Sequence, residues 1–249
     1  MDATRGNWWR WWRECIPPLL DICYPRRCGG CGGDTAGSEG HLCWDCLASA
    51  VYITDPMCSR CGDPVDGLVE HDFECGWCRR THPAFDAARS ALRFRGPIRD
   101  AMHHFKYNRA THLSADLGGL LAGCVHAHFR NERFDSITYV PLHTTKARER
   151  SYNQSRLLAG ELGRRLNVPV VHKAIERVRF TRTQTRLNAD ERKQNVRGAF
   201  RAAMPGWIDG RRWLLVDDVM TTGATVDECA RVLKEHGAIA VTVVTVARG

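Results

Sequence analysis

The 249-residue chain is predicted to be an α/β protein, a parallel sheet with helices, preceded by a small cysteine-rich domain. Two observations predict it. Short apolar runs at 137–140, 168–171, 213–216 and 239–246 alternate with helix-period segments, the pattern of parallel strands joined by helical crossovers. Eight of the 12 cysteines form four CxxC pairs between Cys28 and Cys78, in a stretch too poor in apolar periodicity to build a core without cross-links.

Taken in order, residues 1–21 form a tryptophan-rich tail containing WWRWWR, then Pro17 and Pro18. Two readings apply to it: its indoles lie in a membrane interface beneath the arginines, a peripheral contact, or they pack on the neighbouring domain as a short helix. Residues 22–82 are the cysteine module, and residues 83–249 the α/β domain, which begins where long apolar periodic stretches take over. Leu158, Leu162 and Leu166 mark one helix face; a second helix starts near Ala224, buries Val226, Ala230 and Leu233, and stops at Gly237. No run approaches the roughly 18 apolar residues of a membrane span, and the N-terminus has no apolar stretch of signal-peptide length. The chain is therefore expected in the cytoplasm.

Without an export signal, the paired cysteines point to metal rather than disulfides. Cys28/Cys31 and Cys43/Cys46 are separated by 11 residues, Cys58/Cys61 and Cys75/Cys78 by 13. Each CxxC turn aims two thiolates at one ion, so two turns complete a tetrahedron; two structural Zn2+ ribbons are expected, with the pairing of turns, adjacent or crossed, open at this point. A redox dithiol needs one pair, not four, and closed sites leave no position for metal catalysis. Cys23 lies close enough to replace a ligand, while Cys15, Cys124 and Cys229 read as buried thiols.

The net charge is +8, and eight thiolates around two zinc ions (8 minus 4) would reduce it to +4. Residues 173–212 hold eleven basic against four acidic residues, so an anion is expected to be met there.

The most informative segment is Leu214–Thr225, LLVDDVMTTGAT. An apolar strand over 213–216 ends in Asp217 and Asp218, followed by the turn Thr221, Thr222, Gly223, Ala224, Thr225 and a helix. Two carboxylates at the carboxyl end of a parallel strand can accept hydrogen bonds from two ribose hydroxyls, and a small-residue turn at a helix N-terminus can surround a phosphate with N–H groups. Taken singly, an Asp-Asp pair can cap a helix and Thr-Thr-Gly can be a plain turn; joined in this order they argue for a ligand.

This segment resembles the 5-phosphoribosyl-1-pyrophosphate (PRPP) signature of type I phosphoribosyltransferases, and the rest of the chain resembles the ComF family, which joins a double zinc ribbon to such a domain. HFKY around Lys106 is similar to the family's Lys-Tyr element. VPLHTTKARERSYNQS is similar to its Val-Pro segment leading to Arg-Gly-Phe-Asn-Gln, with Ser151 and Tyr152 in place of Gly and Phe. Arg177–Phe200, with Arg179, Thr181, Gln184, Leu187, Arg192 and Asn195, matches a basic flap expected to be mobile beside the sheet.

The resemblance implies a type I phosphoribosyltransferase-like parallel sheet with helices on both faces. It also implies PRPP arriving with Mg2+, and a setting of competence for DNA uptake with competence-machinery proteins as partners. Asp217 and Asp218 would bind ribose, Thr221–Thr225 the 5′-phosphate, and Lys106, Lys146, Arg150 and the flap arginines the remaining charge. Arg150 and Lys106 would stabilise departing pyrophosphate, with no covalent nucleophile needed. The chain ends three residues after Val246, so a C-terminal hood is not expected and an acceptor pocket would come from the zinc module or flap. A second reading makes the domain a non-catalytic PRPP or nucleotide module. Its flap and ribbons would then hold single-stranded DNA, with Trp44 and Trp77 either stacking bases or packing over the zinc sites. A third is an interaction scaffold with a vestigial site.

Overall fold

The computed structural model describes residues 26–35, 37–65, 67, 73–143, 145, 151–180 and 189–249. Apolar runs give β1 (Ala87–Arg93), β2 (Ser136–Tyr139), β3 (Ile175–Arg177), β4 (Phe200–Ala202), β5 (Arg212–Met220) and β6 (Ala240–Arg248). Four of these form one parallel sheet in the order β1-β6-β5-β2, while β3 and β4 pair antiparallel in a separate ribbon. The helices are α1 (Trp44–Ala48), α2 (Gly76–Thr81), α3 (Gly96–Tyr107), α4 (Ser114–His128), α5 (Gln154–Leu166), α6 (Ala189–Val196), α7 (Pro205–Ile208) and α8 (Ala224–Glu235).

The central strands read as continuous apolar runs because both faces of the sheet are covered. Leu214 and Val216 of β5 join the core made with Ile98, Leu117 and Leu158 of α3, α4 and α5. Trp213 and Leu215 join the other core, with Val226, Ala230 and Leu233 of α8. Trp213 is the largest fully buried side chain among the described residues, and its indole N–H donates to the Ile208 carbonyl at 3.2 Å. Leu158 and Leu162 are fully buried on α5, and α8 ends at Glu235, just before Gly237, as its sequence predicts.

Two strand expectations need correction, and β1 was not expected. β5 does not stop at Val216: it pairs with β6 as far as Val219↔Ala247 and Met220↔Arg248, so the acid pair lies inside the strand near its carboxyl end. The run at 168–171 makes only a single-residue bridge, Val170 with Ile137, beside the β2 edge. Pro169 lacks an N–H, and the segment follows directly on α5 and Asn167, which leaves no length for a longer ladder. β1 carries no clear apolar pattern because Arg89 and Ser90 interrupt it; Ser90 is nonetheless buried, its hydroxyl 2.6 Å from that of Thr245 on β6.

The cysteine-rich segment closes the β1 edge of the sheet. The Ile53 N–H donates to the Ala91 carbonyl at 3.0 Å and the Arg93 N–H to the Val51 carbonyl at 2.8 Å, so residues 51–53 run antiparallel along that edge and cover its unpaired groups. On either side of this crossing, Cys28, Cys43 and Cys46 pack into the core of α3 and α4, and Cys58, Cys61 and Cys78 into the core of α8. Among the described residues no helix is long and apolar enough to cross a membrane.

Candidate functional site

The eight paired cysteines converge in two clusters, Cys28, Cys31, Cys43 and Cys46, then Cys58, Cys61, Cys75 and Cys78, each with its sulfurs within 4.8 Å of one another. The CxxC turns therefore pair with their neighbours, not crosswise. The sulfurs are 3.6 Å apart in Cys28–Cys46, 3.8 Å in Cys31–Cys43, and 3.7 Å in both Cys58–Cys78 and Cys61–Cys75. A tetrahedron with Zn–S bonds of about 2.3 Å has edges of about 3.8 Å, so the donor set fits a zinc ion.

Each unit is built alike: the first CxxC forms a tight knuckle, and the second opens a short helix, with Cys43 and Cys75 at the N-caps of α1 and α2. Burial pushes the Cys28 thiol up, but the N–H groups of Cys43, Cys31 and Gly30 outweigh it and bring it down to about 6. Cys58 comes down to about 7 for the same reason. Burial and the neighbouring thiolates push Cys46 and Cys78 the other way. Thiols that oppose one another's ionisation in this way are what a dication relieves. Cys124 and Cys229 are buried thiols, as expected; Cys15 and Cys23 lie outside the described residues.

The second knuckle is fastened to β1 and to the end of β6. Gly62 has φ +65° and sits so close to β1 that an added Cβ would meet the Ala88 carbonyl oxygen at 2.5 Å. Arg248 at the end of β6 donates to Asp63 at 2.8 Å and to the Cys61 carbonyl at 2.8 Å.

Asp217 and Asp218 are held from two helices. The Ser155 hydroxyl of α5 donates to Asp217 Oδ1 at 2.8 Å, and the Asp218 N–H donates to the same oxygen at 2.9 Å. Lys106, in the last turn of α3, places its ammonium 3.0 Å from Asp218 Oδ1, with both side chains largely buried. Burial pushes the Asp217 carboxyl up and the Asp218 charge pushes it further. Ser155, the Asp218 N–H and Lys106 pull it back, and it settles at about 7.

The turn follows at once. Gly223, at φ +78°, lets the chain enter α8, and a Cβ there would strike Met220 Cε at 2.7 Å and touch the Trp77 ring at 3.5 Å. Trp77 thus packs against the turn from the second ribbon, whereas Trp44 on the first ribbon is 63% exposed. Thr221 is exposed, and its hydroxyl accepts from Arg192 of α6 at 3.1 Å, so a flap residue reaches the turn. The base of the flap is tied down: the Arg179 guanidinium donates to the carbonyls of Asn195 and Arg197, and the Gly198 N–H donates to Glu228 at 2.6 Å. Lys146, Arg150, Thr181, Gln184 and Leu187 lie outside the described residues.

Residues 152–155 do more than the sequence reading assigned them. The Tyr152 hydroxyl donates to the Phe105 carbonyl and the Gln154 amide to the Lys106 carbonyl at 3.2 Å, satisfying carbonyls that the end of α3 leaves unpaired. The Asn153 amide donates to the Val140 carbonyl at 3.1 Å, and its oxygen caps α5 at the Arg156 N–H. These bonds set where Lys106 and Ser155 stand relative to the acids. The available signal was the Asn-Gln-Ser run placed directly before a leucine-periodic helix.

Ser151, at the head of this segment, adopts φ +66° although it is not glycine. A left-handed non-glycine residue costs about 1–2 kcal/mol. Ser151→Gly is therefore expected to stabilise the chain by about 1 kcal/mol, read as a raised urea midpoint with unchanged slope, since relief of backbone strain outweighs the entropy gained by the unfolded chain.

A family model for a double zinc ribbon domain matches residues 19–79, and one for a phosphoribosyl transferase domain matches residues 153–249. "Competence protein F" of Haemophilus influenzae is 31% identical over 85% of this chain and 92% of that protein. "DNA utilization protein YhgH" of Escherichia coli K12 is 33% identical over 81% of this chain and 94% of that protein. "Competence protein ComFC" of Bacillus subtilis is 25% identical over 79% of each. With two cysteine clusters leading into a phosphoribosyltransferase-type domain, and relatives matched over most of both lengths, the chain belongs to the ComF family.

Proposed function

We propose that this protein binds PRPP with Mg2+ at Asp217, Asp218 and the Thr221–Thr225 turn, and that each cysteine cluster holds one Zn2+ as a structural ion. The supporting observation is the acid pair, held by Ser155 and Lys106 at the carboxyl end of a central strand, immediately before a turn that opens α8. The carboxylates accept from the ribose hydroxyls. The N–H groups of the turn, with the threonine hydroxyls and Arg192, take the 5′-phosphate. Lys106, with Arg150 and Lys146, neutralises the pyrophosphate as it departs, and the ribose carbon gains oxocarbenium character without any covalent intermediate. Mg2+ bound with the ligand would supply further neutralisation of the diphosphate, and a buried acid pair of like charge fits a cation nearby.

Each carboxylate bond to a hydroxyl is worth about 1.5–3 kcal/mol. Replacing Asp217→Asn together with Asp218→Asn should therefore weaken PRPP binding by at least about 100-fold in calorimetric titration; binding as tight as wild type would remove the assignment. Pyrophosphate release across purine, pyrimidine and amine acceptors then separates transfer from binding alone.

A second reading has one observation in its favour. Trp44, 63% exposed on the first ribbon, offers an aromatic face of the kind that stacks single-stranded DNA, and the E. coli relative is named for DNA utilization. PRPP binding without turnover, together with single-stranded DNA binding that weakens as salt is raised, is the outcome this reading requires.

Asp217 accepts from a hydroxyl best when ionised, so ligand affinity should rise as pH passes through about 7. Removing the Ser155 hydroxyl bond lifts the carboxyl further, so Ser155→Ala should move that rise to higher pH. The same raised value makes Asp217 a stability term of the opposite sense. Protonated in the folded chain, it favours folding at low pH, and that contribution is lost as pH climbs from the usual carboxylate range through about 7. A titration in which Ser155→Ala and wild type coincide would contradict the coupling.

Metal analysis should find about two zinc ions per chain. Because both clusters share the cores on the two faces of the sheet, chelation should lower Tm for the whole chain rather than loosen a separate module. A chelated chain that melted as before would contradict the structural role.

A further inference from the structure

A cavity of about 650 Å3 lies behind the phosphate turn, between the second ribbon, α6 and α8. A recess of about 150 Å3, lined by Trp77 and Thr222 among others, adjoins it; the two share Thr81, Lys193, Ala224 and Asp227 in their walls. The floor is one stripe of α8, Ala224, Asp227 and Arg231, which spans about 10 Å of helix. Asp217 and Asp218 line neither space. A ribose 5-phosphate seated on the turn would therefore keep its ribose on the acid-pair side and present the far side of its phosphate to this cavity.

PRPP has nothing to put there, because its 5′-phosphate is a terminal monoester. The cavity is nonetheless within the range of about 300–1,000 Å3 typical of small-ligand sites. Its acids are already engaged: Asp227 accepts from the Ala84 N–H at 2.6 Å, and Glu228 from Arg231 at 2.7 Å and the Gly198 N–H at 2.6 Å. Three cations, Lys193, Arg197 and Arg231, line the space against the two acids, so its net charge is positive and suits an anion. The half-buried Trp77 ring at the mouth adds an apolar face for a ring system.

We propose that the site also takes ribose 5-phosphates joined at that phosphate, through a phosphoanhydride, to a nucleoside monophosphate, with the nucleoside monophosphate portion lying in the α8 cavity. This rests on the phosphoribosyl reading of the turn. No bond is made or broken in it; the cavity is a specificity pocket, and the flap helix α6 serves both parts, Arg192 at the turn and Lys193 at the cavity.

Calorimetric titration of the full chain with ribose 5-phosphate and with ADP-ribose tests it, because the second is the first extended by an adenosine phosphate. Wild type should bind ADP-ribose at least tenfold more tightly. Lys193→Ala, which removes a cation, and Gln194→Trp, which fills the space, both replace exposed residues of α6 and so leave the core intact. Each should abolish the advantage of ADP-ribose while leaving ribose 5-phosphate affinity as it was. Equal affinities in wild type would overturn the proposal but leave the phosphoribosyl reading standing, as would an advantage untouched by both variants. If neither compound binds, the phosphoribosyl reading fails and the proposal with it.

Discussion

Two adjacent carboxylates withdrawn from water near the end of a strand repel each other, and much of the surrounding structure answers that repulsion. Lys106 is brought to Asp218 by α3, and Ser155 to Asp217 by α5. Breaking a buried pair by removing one partner costs about 3–5 kcal/mol, so the end of α3 that carries Lys106 must stay where it is. Tyr152, Asn153 and Gln154 tie that end to the start of α5 through backbone carbonyls of α3 and β2. The strained Ser151 is the conformational cost of turning the chain into that knot. Within that arrangement the Asp217 carboxyl, raised by burial and by the Asp218 charge, lies at about 7.

The cysteine clusters belong to the same economy of space. They do not stand apart from the sheet: residues 51–53 seal its β1 edge, and one cluster packs on each face. The second matters for the ligand side, because Arg248 ties its knuckle to the end of β6 and Trp77 rests on the turn at Gly223. A disturbance of that cluster would therefore be felt at the turn that opens α8.

Much of this was legible from local pattern. CxxC spacing marks the ligand set because two thiolates per turn is a local geometry, and the strand, acid pair, turn and helix order of Leu214–Thr225 is contiguous in sequence. What escaped was non-local. β1 hides behind Arg89 and Ser90, and Ser90 is buried against Thr245, 155 residues away. The extension of β5 to Met220 depends on β6 being long enough to pair with it. Tyr152, Gln154 and Ser155 act on groups 47 to 62 residues away, which no spacing rule reveals. Neighbouring pairing of the CxxC turns likewise became clear only when the two faces of the sheet separated the clusters.

The most direct measurement is a crystal structure of the chain grown with PRPP and Mg2+. The ribose hydroxyls should lie within hydrogen-bond distance of Asp217 and Asp218, with the 5′-phosphate on the N–H groups of the turn that opens α8. A phosphate bound elsewhere, with Asp218 still paired only to Lys106 and the turn empty, would contradict the account.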